Sequence, residues 1–167
     1  LPEAVSDRVI ARLDATLADT AGGATGCFVI QFDDPADLCG RLGRARQSEL
    51  LAACIARLRG ALRPGDILFP LEDGSLAITL AQAPRLDIEI MVRIAARLHL
   101  AVQQPMTLTS GPVQVTCSIG FCHSPQLHHP TGRALLDAAQ LAGDEAAQFR
   151  PGAIRAYSAG LARARAD

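Results

Sequence analysis

Two short apolar runs, at 67–71 and 76–80, are joined through Glu72-Asp73-Gly74-Ser75, and this feature narrows the fold more than any other. Asp-Gly between apolar runs is the strongest short-range hairpin signal, because both residues accept the positive φ that tight hairpin turns demand. A two-strand hairpin is antiparallel by construction. Elsewhere strand-like and helix-like segments interleave, a pattern that alone would give a parallel sheet. The hairpin in their midst excludes that, and leaves a mixed α/β sheet with helices on its faces. Arg63-Pro64-Gly65-Asp66 supplies the turn leading in, with Pro fixing one corner and Gly accepting positive φ at the next. Pro70 has no N–H to give to a ladder, which predicts an edge position or a place beside the turn.

Spacing predicts the remaining elements. Residues 5–19 carry Val5, Val9, Leu13 and Leu17 at near-helical intervals, an amphipathic helix stopped by Gly22-Gly23. Residues 27–32 read as a buried strand ended by Asp33-Asp34-Pro35. Residues 36–62 are helical in pattern; Gly40 and Gly43 are expected to break the run, and Leu51, Ile55, Leu58 and Leu62 form the stripe of the second piece. A long helix follows at 86–103 with Ile88, Val92, Ala95 and Val102 inward, ended by Pro105. Val113, Val115, Cys117, Ile119 and Phe121 alternate through a further strand, and a helix at 134–149 and a short strand at 153–157 complete the order.

Composition removes whole classes of function. The chain has 16 basic residues, all arginine, so no phosphate-loop, Schiff-base or general-base lysine exists in it. Those 16 charges meet 17 acidic ones, and the aromatics are five Phe and one Tyr; neither balance suits a nucleic-acid partner. No apolar run approaches the roughly 20 residues that span a bilayer, and Glu3, Asp7 and Arg8 interrupt any signal-peptide pattern. The chain opens at Leu1-Pro2 without Met, and is read as a domain excised from something longer. Cysteines at 27, 39, 54, 117 and 122 form no CxxC and are expected to be free, buried thiols in a reducing cytoplasm. A metal site from Cys117, Cys122, His123, His128 and His129 is disfavoured, because an odd spacing sends the two thiols to opposite faces of a strand. No cofactor is expected.

In the order and spacing of its motifs the chain resembles the GGDEF domain of diguanylate cyclases. Leu1-Pro2 looks like the tail of that family's D-x-L-T-G-L-x-N-R opening. Gln31-Phe32-Asp33-Asp34-Pro35 through Gly43 to Leu50-Leu51 keeps step with its D-x-D-x-F segment and the helix after it. Arg63 and Asp66 repeat its R-x-x-D placement ahead of the signature turn, and Ser118-Ile119-Gly120 is its S-I-G strand. Leu135-Leu136 to Tyr157 follows its last helix and strand in spacing. The resemblance implies a central five-stranded mixed sheet of the nucleotidyl cyclase and polymerase-palm kind, over residues 1–157.

The family joins two GTP molecules with two divalent metals, which favour carboxylate ligands. Carried over position by position, the resemblance implies a degenerate member without a catalytic set. The first metal Asp falls on Gln31. The G-G-D/E-E-F signature falls on Glu72, Asp73, Gly74, Ser75 and Leu76, which puts Gly74 at the metal carboxylate and Ser75 at the catalytic one. The guanine-reading Asn and Asp fall on Cys39 and Ser48, the phosphate-holding Lys and Arg on Ala147 and Pro151, and the Arg before the signature on Pro70.

Three readings follow. One is an inactive regulatory and interaction domain in cyclic-di-GMP signalling, acting on a cyclic-di-GMP phosphodiesterase (EAL) domain in cis, with residues 158–167 beginning the linking helix and homodimerisation a further possibility. Another is a cyclic-di-GMP receptor using Arg63, Asp66 and Arg97 as the family's inhibitory site, for which a bidentate arginine is well suited. Against it stands a purely structural use of Arg63-Pro64-Gly65-Asp66 as a turn. The last is a domain that binds GTP without turnover as an allosteric signal.

Overall fold

The structure, a computed structural model, describes residues 4–19 and 22–159. Helix α1 (Val5–Ala18) leads to strand β1 (Gly26–Phe32), helix α2 (Pro35–Gly60), and the hairpin β2 (Ile67–Pro70) and β3 (Leu76–Thr79). Helix α3 (Ile88–Gln103), strands β4 (Met106–Leu108), β5 (Gly111–Val113) and β6 (Cys117–His123), helix α4 (Gly132–Phe149) and strand β7 (Ile154–Ala156) follow. The main sheet has five strands in the order β2-β3-β1-β6-β7. β1 pairs antiparallel with both β3 and β6, and β6 pairs parallel with β7, so the sheet is mixed. Pro70 sits on β2, the edge strand, where a missing donor is tolerated.

The period of two along β1 sorts the core into two layers. Phe28 and Ile30 join Leu38, Leu50, Leu58, Met91, Leu98, Ile119 and Phe121 under α2 and α3. Cys27 and Val29 join Val9, Leu13, Phe69, Ala77, Leu135 and Ala139 under α1 and α4. Cys117 lies in the first layer and Cys122 in the second, as their odd spacing requires.

Four expectations need correction. The strand expected from Val113 to Phe121 is two strands: β5 pairs with β4 in a separate hairpin, and β6 begins only at Cys117. Alternation cannot see that break, because Val115 is buried although it belongs to neither strand. Gly40 is helical, and the break in α2 falls at Gly43 alone (φ 75°, ψ 168°), a conformation open chiefly to glycine. Ile88 and Val92 are exposed; the inward stripe of α3 is Met91, Ala95, Leu98 and Val102. Cys39 is exposed, whereas Cys27, Cys54, Cys117 and Cys122 are buried and free. The expected linker helix lies outside the described residues from residue 160 onward.

Candidate functional site

A cleft opens where β1 leaves the sheet, between the β2–β3 turn and the end of α4. Its cavity holds about 350 Å³. Asp33 follows β1 and is fixed from both sides: its backbone N–H donates to Thr116 O at 3.0 Å. Its carboxylate accepts the Thr116 hydroxyl at 2.7 Å and the Ser118 hydroxyl at 2.6 Å. Asp34 then turns the chain into α2 with φ 48°, a region rarely taken by a residue with a Cβ, and its side chain caps the helix at Asp37 N. Gln31, the last inner position of β1 before the mouth, donates its amide to Asp144 Oδ1 of α4 at 2.7 Å. On the opposite wall Ser75 donates through both its backbone N–H (2.9 Å) and its hydroxyl (2.5 Å) to Asp73 Oδ1. Gly74 between them has φ 89°, which the turn requires.

The fold therefore brings Gln31, Asp73, Gly74, Ser75, Ala147 and Pro151 to one cleft, although they are far apart in sequence. Asp33, Asp34, Asp73 and Asp144 line it with no basic residue among them. An adjoining apolar recess of about 160 Å³ is lined by Phe32, Leu38, Leu50 and Leu51, with Arg44, Gln47 and Ser48 at its polar side. Glu72 and Leu76 stand apart: Leu76 is in the core, and Glu72 bonds Val5 N of α1. Cys39 lines neither space.

The R-x-x-D pair is assembled. Asp66 Oδ2 accepts from Arg63 N at 3.0 Å and Arg63 Nε at 3.4 Å, while its Oδ1 accepts Ala81 N at 2.8 Å. The Asp66 side chain is only 3% exposed, and it ties the turn to the end of β3. Arg63 shares a surface depression with Arg59. Arg97 lies in another depression with Arg57, and donates to Ala61 O at the end of α2.

Asp144, which lines the cleft, and Thr116, which holds Asp33 from behind it, are residues that sequence reasoning missed. Each acts through a partner on a distant element, so no local spacing marks them; the run Gly143-Asp144-Glu145 reads as an ordinary polar helix face.

The residues present do not fit the pair of divalent cations that the family's chemistry implies. Such cations need several charged oxygens converging on a point. Here Gln31 is neutral, Gly74 has no side chain, and Asp33, Asp73 and Asp144 are engaged by Thr116, Ser118, Ser75 and Gln31. Among the described residues no group of three or more His, Cys, Asp and Glu is arranged to hold a metal ion.

Residues 10–149 match the family described as diguanylate cyclase, GGDEF domain. The chain belongs to the GGDEF family. As a GGDEF domain it is part of cyclic-di-GMP signalling. No curated protein matches it. Among solved structures it is similar to the GGDEF domain of YfiN (TpbB) from Pseudomonas aeruginosa, at 25% identity and TM-score 0.83, covering 97% of this chain and 92% of that one. It shares its fold with an EAL/GGDEF domain protein from M. capsulatus, at 23% identity and TM-score 0.74, covering 90% and 97%. It also shares its fold with the active GGEEF domain of a diguanylate cyclase from Vibrio cholerae, at 13% identity and TM-score 0.77, covering 90% and 95%. A GGDEF fold is thus compatible with activity, and the cleft's own side chains must decide what this domain does. No described helix is long and apolar enough to cross a membrane.

Proposed function

We propose that this GGDEF domain does not condense GTP and serves as a regulatory domain, modulating a cyclic-di-GMP phosphodiesterase (EAL) domain in cis in the cytoplasm. One observation carries the reading: the cleft presents Asp33, Asp34, Asp73 and Asp144 and no cationic side chain. Phosphoryl transfer depends almost wholly on positioning and on neutralising the charge of the phosphates. A triphosphate entering this cleft meets carboxylates already bonded to their neighbours, no lysine anywhere in the chain, and Ala147 and Pro151 where cations belong. The EAL/GGDEF protein among the structural neighbours supports a tandem arrangement. The test is incubation with GTP and Mg²⁺ or Mn²⁺, followed by chromatography for cyclic-di-GMP. No product is expected; product that grows with enzyme concentration overturns the reading.

A second reading, a cyclic-di-GMP receptor, is favoured by the exposure of Arg63 (46%) beside Arg59 in a depression of about 330 Å³. Asp66 is not free to join it, since both its oxygens hold the turn. Calorimetry with cyclic-di-GMP on the domain and on Arg63→Ala separates the two readings. Heat that disappears in the variant supports the receptor, and no heat at high micromolar ligand removes it. GTP binding without turnover ranks below both, because the cleft lacks the contacts it needs; a rise of several degrees in Tm with GTP reverses that order.

A further inference from the structure

Glu72 is the residue of the signature turn that faces away from the cleft. Its Oε1 accepts the backbone N–H of Val5, the first residue of α1, at 2.7 Å. The N-terminal N–H groups of a helix have no partner inside the helix, and their end of the helix dipole favours negative charge. α1 has Asp7 in its first turn, but its N-cap residue is Ala4, which offers no side-chain acceptor to the leading N–H groups. A carboxylate from the β2–β3 turn supplies one instead.

The contact belongs to a series along α1. One turn on, the Arg8 guanidinium lies over the Phe69 ring of β2 at 5.7 Å. Arg12 donates to Gly65 O at 3.4 Å, and Gln82, just past β3, donates to Thr16 O at 2.5 Å. Beneath them Val9 and Leu13 are fully buried against a cluster that includes Phe69, Leu71 and Ala77 of the hairpin region. α1 and the hairpin are therefore joined at both ends and through the core between. The same turn that caps α1 presents Asp73, Gly74 and Ser75 to the cleft.

We propose that Glu72 is a tertiary N-cap that couples the first turn of α1 to the cleft wall. Displacement of that first turn shifts Asp73, Gly74 and Ser75, and by reciprocity a change in the cleft wall alters the hold on α1. The coupling goes beyond the regulatory reading and stands whether or not the cleft turns over nucleotide.

Amide hydrogen exchange on this chain tests it, read at Asp7 and Arg8 and at Gly74 and Ser75. The variants are Glu72→Ala, Glu72→Gln, Val5→Pro and the Glu72→Ala/Val5→Pro pair. Glu72 is exposed, so its variants leave the core intact. Val5→Pro deletes the very donor while suiting the first helical position, and Ala4 (φ −64°, ψ 146°) already has the conformation that a following proline requires. Glu72→Ala is expected to speed exchange about fivefold at both segments, the usual weight of a lost cap. Glu72→Gln, which keeps an acceptor oxygen, recovers most of the protection. Val5→Pro speeds exchange at Gly74 and Ser75, and adding Glu72→Ala changes nothing further. The proposal is overturned if Glu72→Ala loosens Asp7 and Arg8 while leaving Ser75 unchanged, if neither segment responds, or if the two substitutions add.

Discussion

At Gly120 a single hydrogen atom decides whether strand and helix can touch. A Cβ on Gly120 would stand 2.0 Å from Gly143 N and 2.4 Å from Ala139 O, both backbone atoms of α4. Neither can yield without moving the helix off β6, so Gly120→Ala is expected to destabilise the fold by about 1–3 kcal/mol, as overpacking does. A urea midpoint unchanged from wild type contradicts this. Gly143→Ala is the informative contrast. Its Cβ meets the Gln31 amide nitrogen at 3.2 Å, the end of a flexible side chain. Alanine also favours a helix over glycine by about 1 kcal/mol, so the expected change in stability is near zero. Its effect falls on the Gln31–Asp144 hydrogen bond in the cleft, visible as a shift of the Gln31 side-chain amide resonances. Gly120 was legible from the Ser118-Ile119-Gly120 motif, but its partner was not, since the closeness of two backbones leaves no pattern in either segment. Gln31 was legible in the same way as a departure from the family's aspartate, while its use as a bridge to Asp144 required the fold.

At the scale of elements, the helices and the signature hairpin were legible, while the exact buried stripe of a helix and the shortest strands were less so. α1 buries Val9 and Leu13 as its spacing predicts, and the Asp-Gly turn closes the hairpin where expected. The stripe of α3 was read in part: Ala95 and Val102 are buried as expected, but Met91 and Leu98 complete it in place of Ile88 and Val92, because apolar residues stand on both sides of that stripe. Only the sheet beneath it selects the stripe that is buried. The β4–β5 hairpin escaped notice because its strands are three residues each, too short for alternation to register. That hairpin depends on a tertiary hold: Glu49 of α2 accepts from Thr109 N at 2.6 Å and from the Thr109 hydroxyl at 2.7 Å. The Thr109 hydroxyl first, then its backbone N–H, lower the Glu49 carboxyl below its ordinary 4.5. A carboxylate depressed on folding contributes stability above its unfolded value and loses it as pH falls through the folded one. The Thr109 amide resonance is therefore expected to titrate with a midpoint below 4.5. A midpoint at or above 4.5, or an identical titration in Glu49→Gln, contradicts the assignment.

For the whole molecule, the hairpin set among interleaved helices and strands was enough to give the mixed sheet, because chain order and strand direction leave few ways to bury both faces. The cleft followed less readily. Its position came from the resemblance, but its charge is a property of four aspartates drawn from the β1–α2 junction, the β2–β3 turn and α4, and only their assembly reveals that no cation accompanies them among the lining residues. The two core layers also set the chemistry of the thiols. Burial pushes Cys54 up to about 11 and Cys122 up to about 12. Cys27 rises further through burial and then the nearby Cys122, and Cys117 through burial and then Asp33 and Cys54. The thiolate is the nucleophile, so these four should resist alkylation in the native state while exposed Cys39 reacts. Cys27 and Cys122 belong to one layer, and Cys54 and Cys117 to the other. If the layers open together, the four protected thiols acquire label at one common rate at pH 8, measured by peptide mass spectrometry. Two distinct pairs of rates would instead mean that one face of the sheet opens without the other. The same shifts fix the alkaline limit. Each thiol's value is raised on folding above its ordinary 9.0, so its contribution to stability is complete below pH 9 and declines as pH rises beyond it. The urea midpoint should accordingly fall between pH 8 and pH 10. Replacing Cys54 and Cys122 by alanine should lower stability at pH 8 through lost packing and flatten that fall, whereas an equally steep fall would place the alkaline sensitivity outside these two thiols.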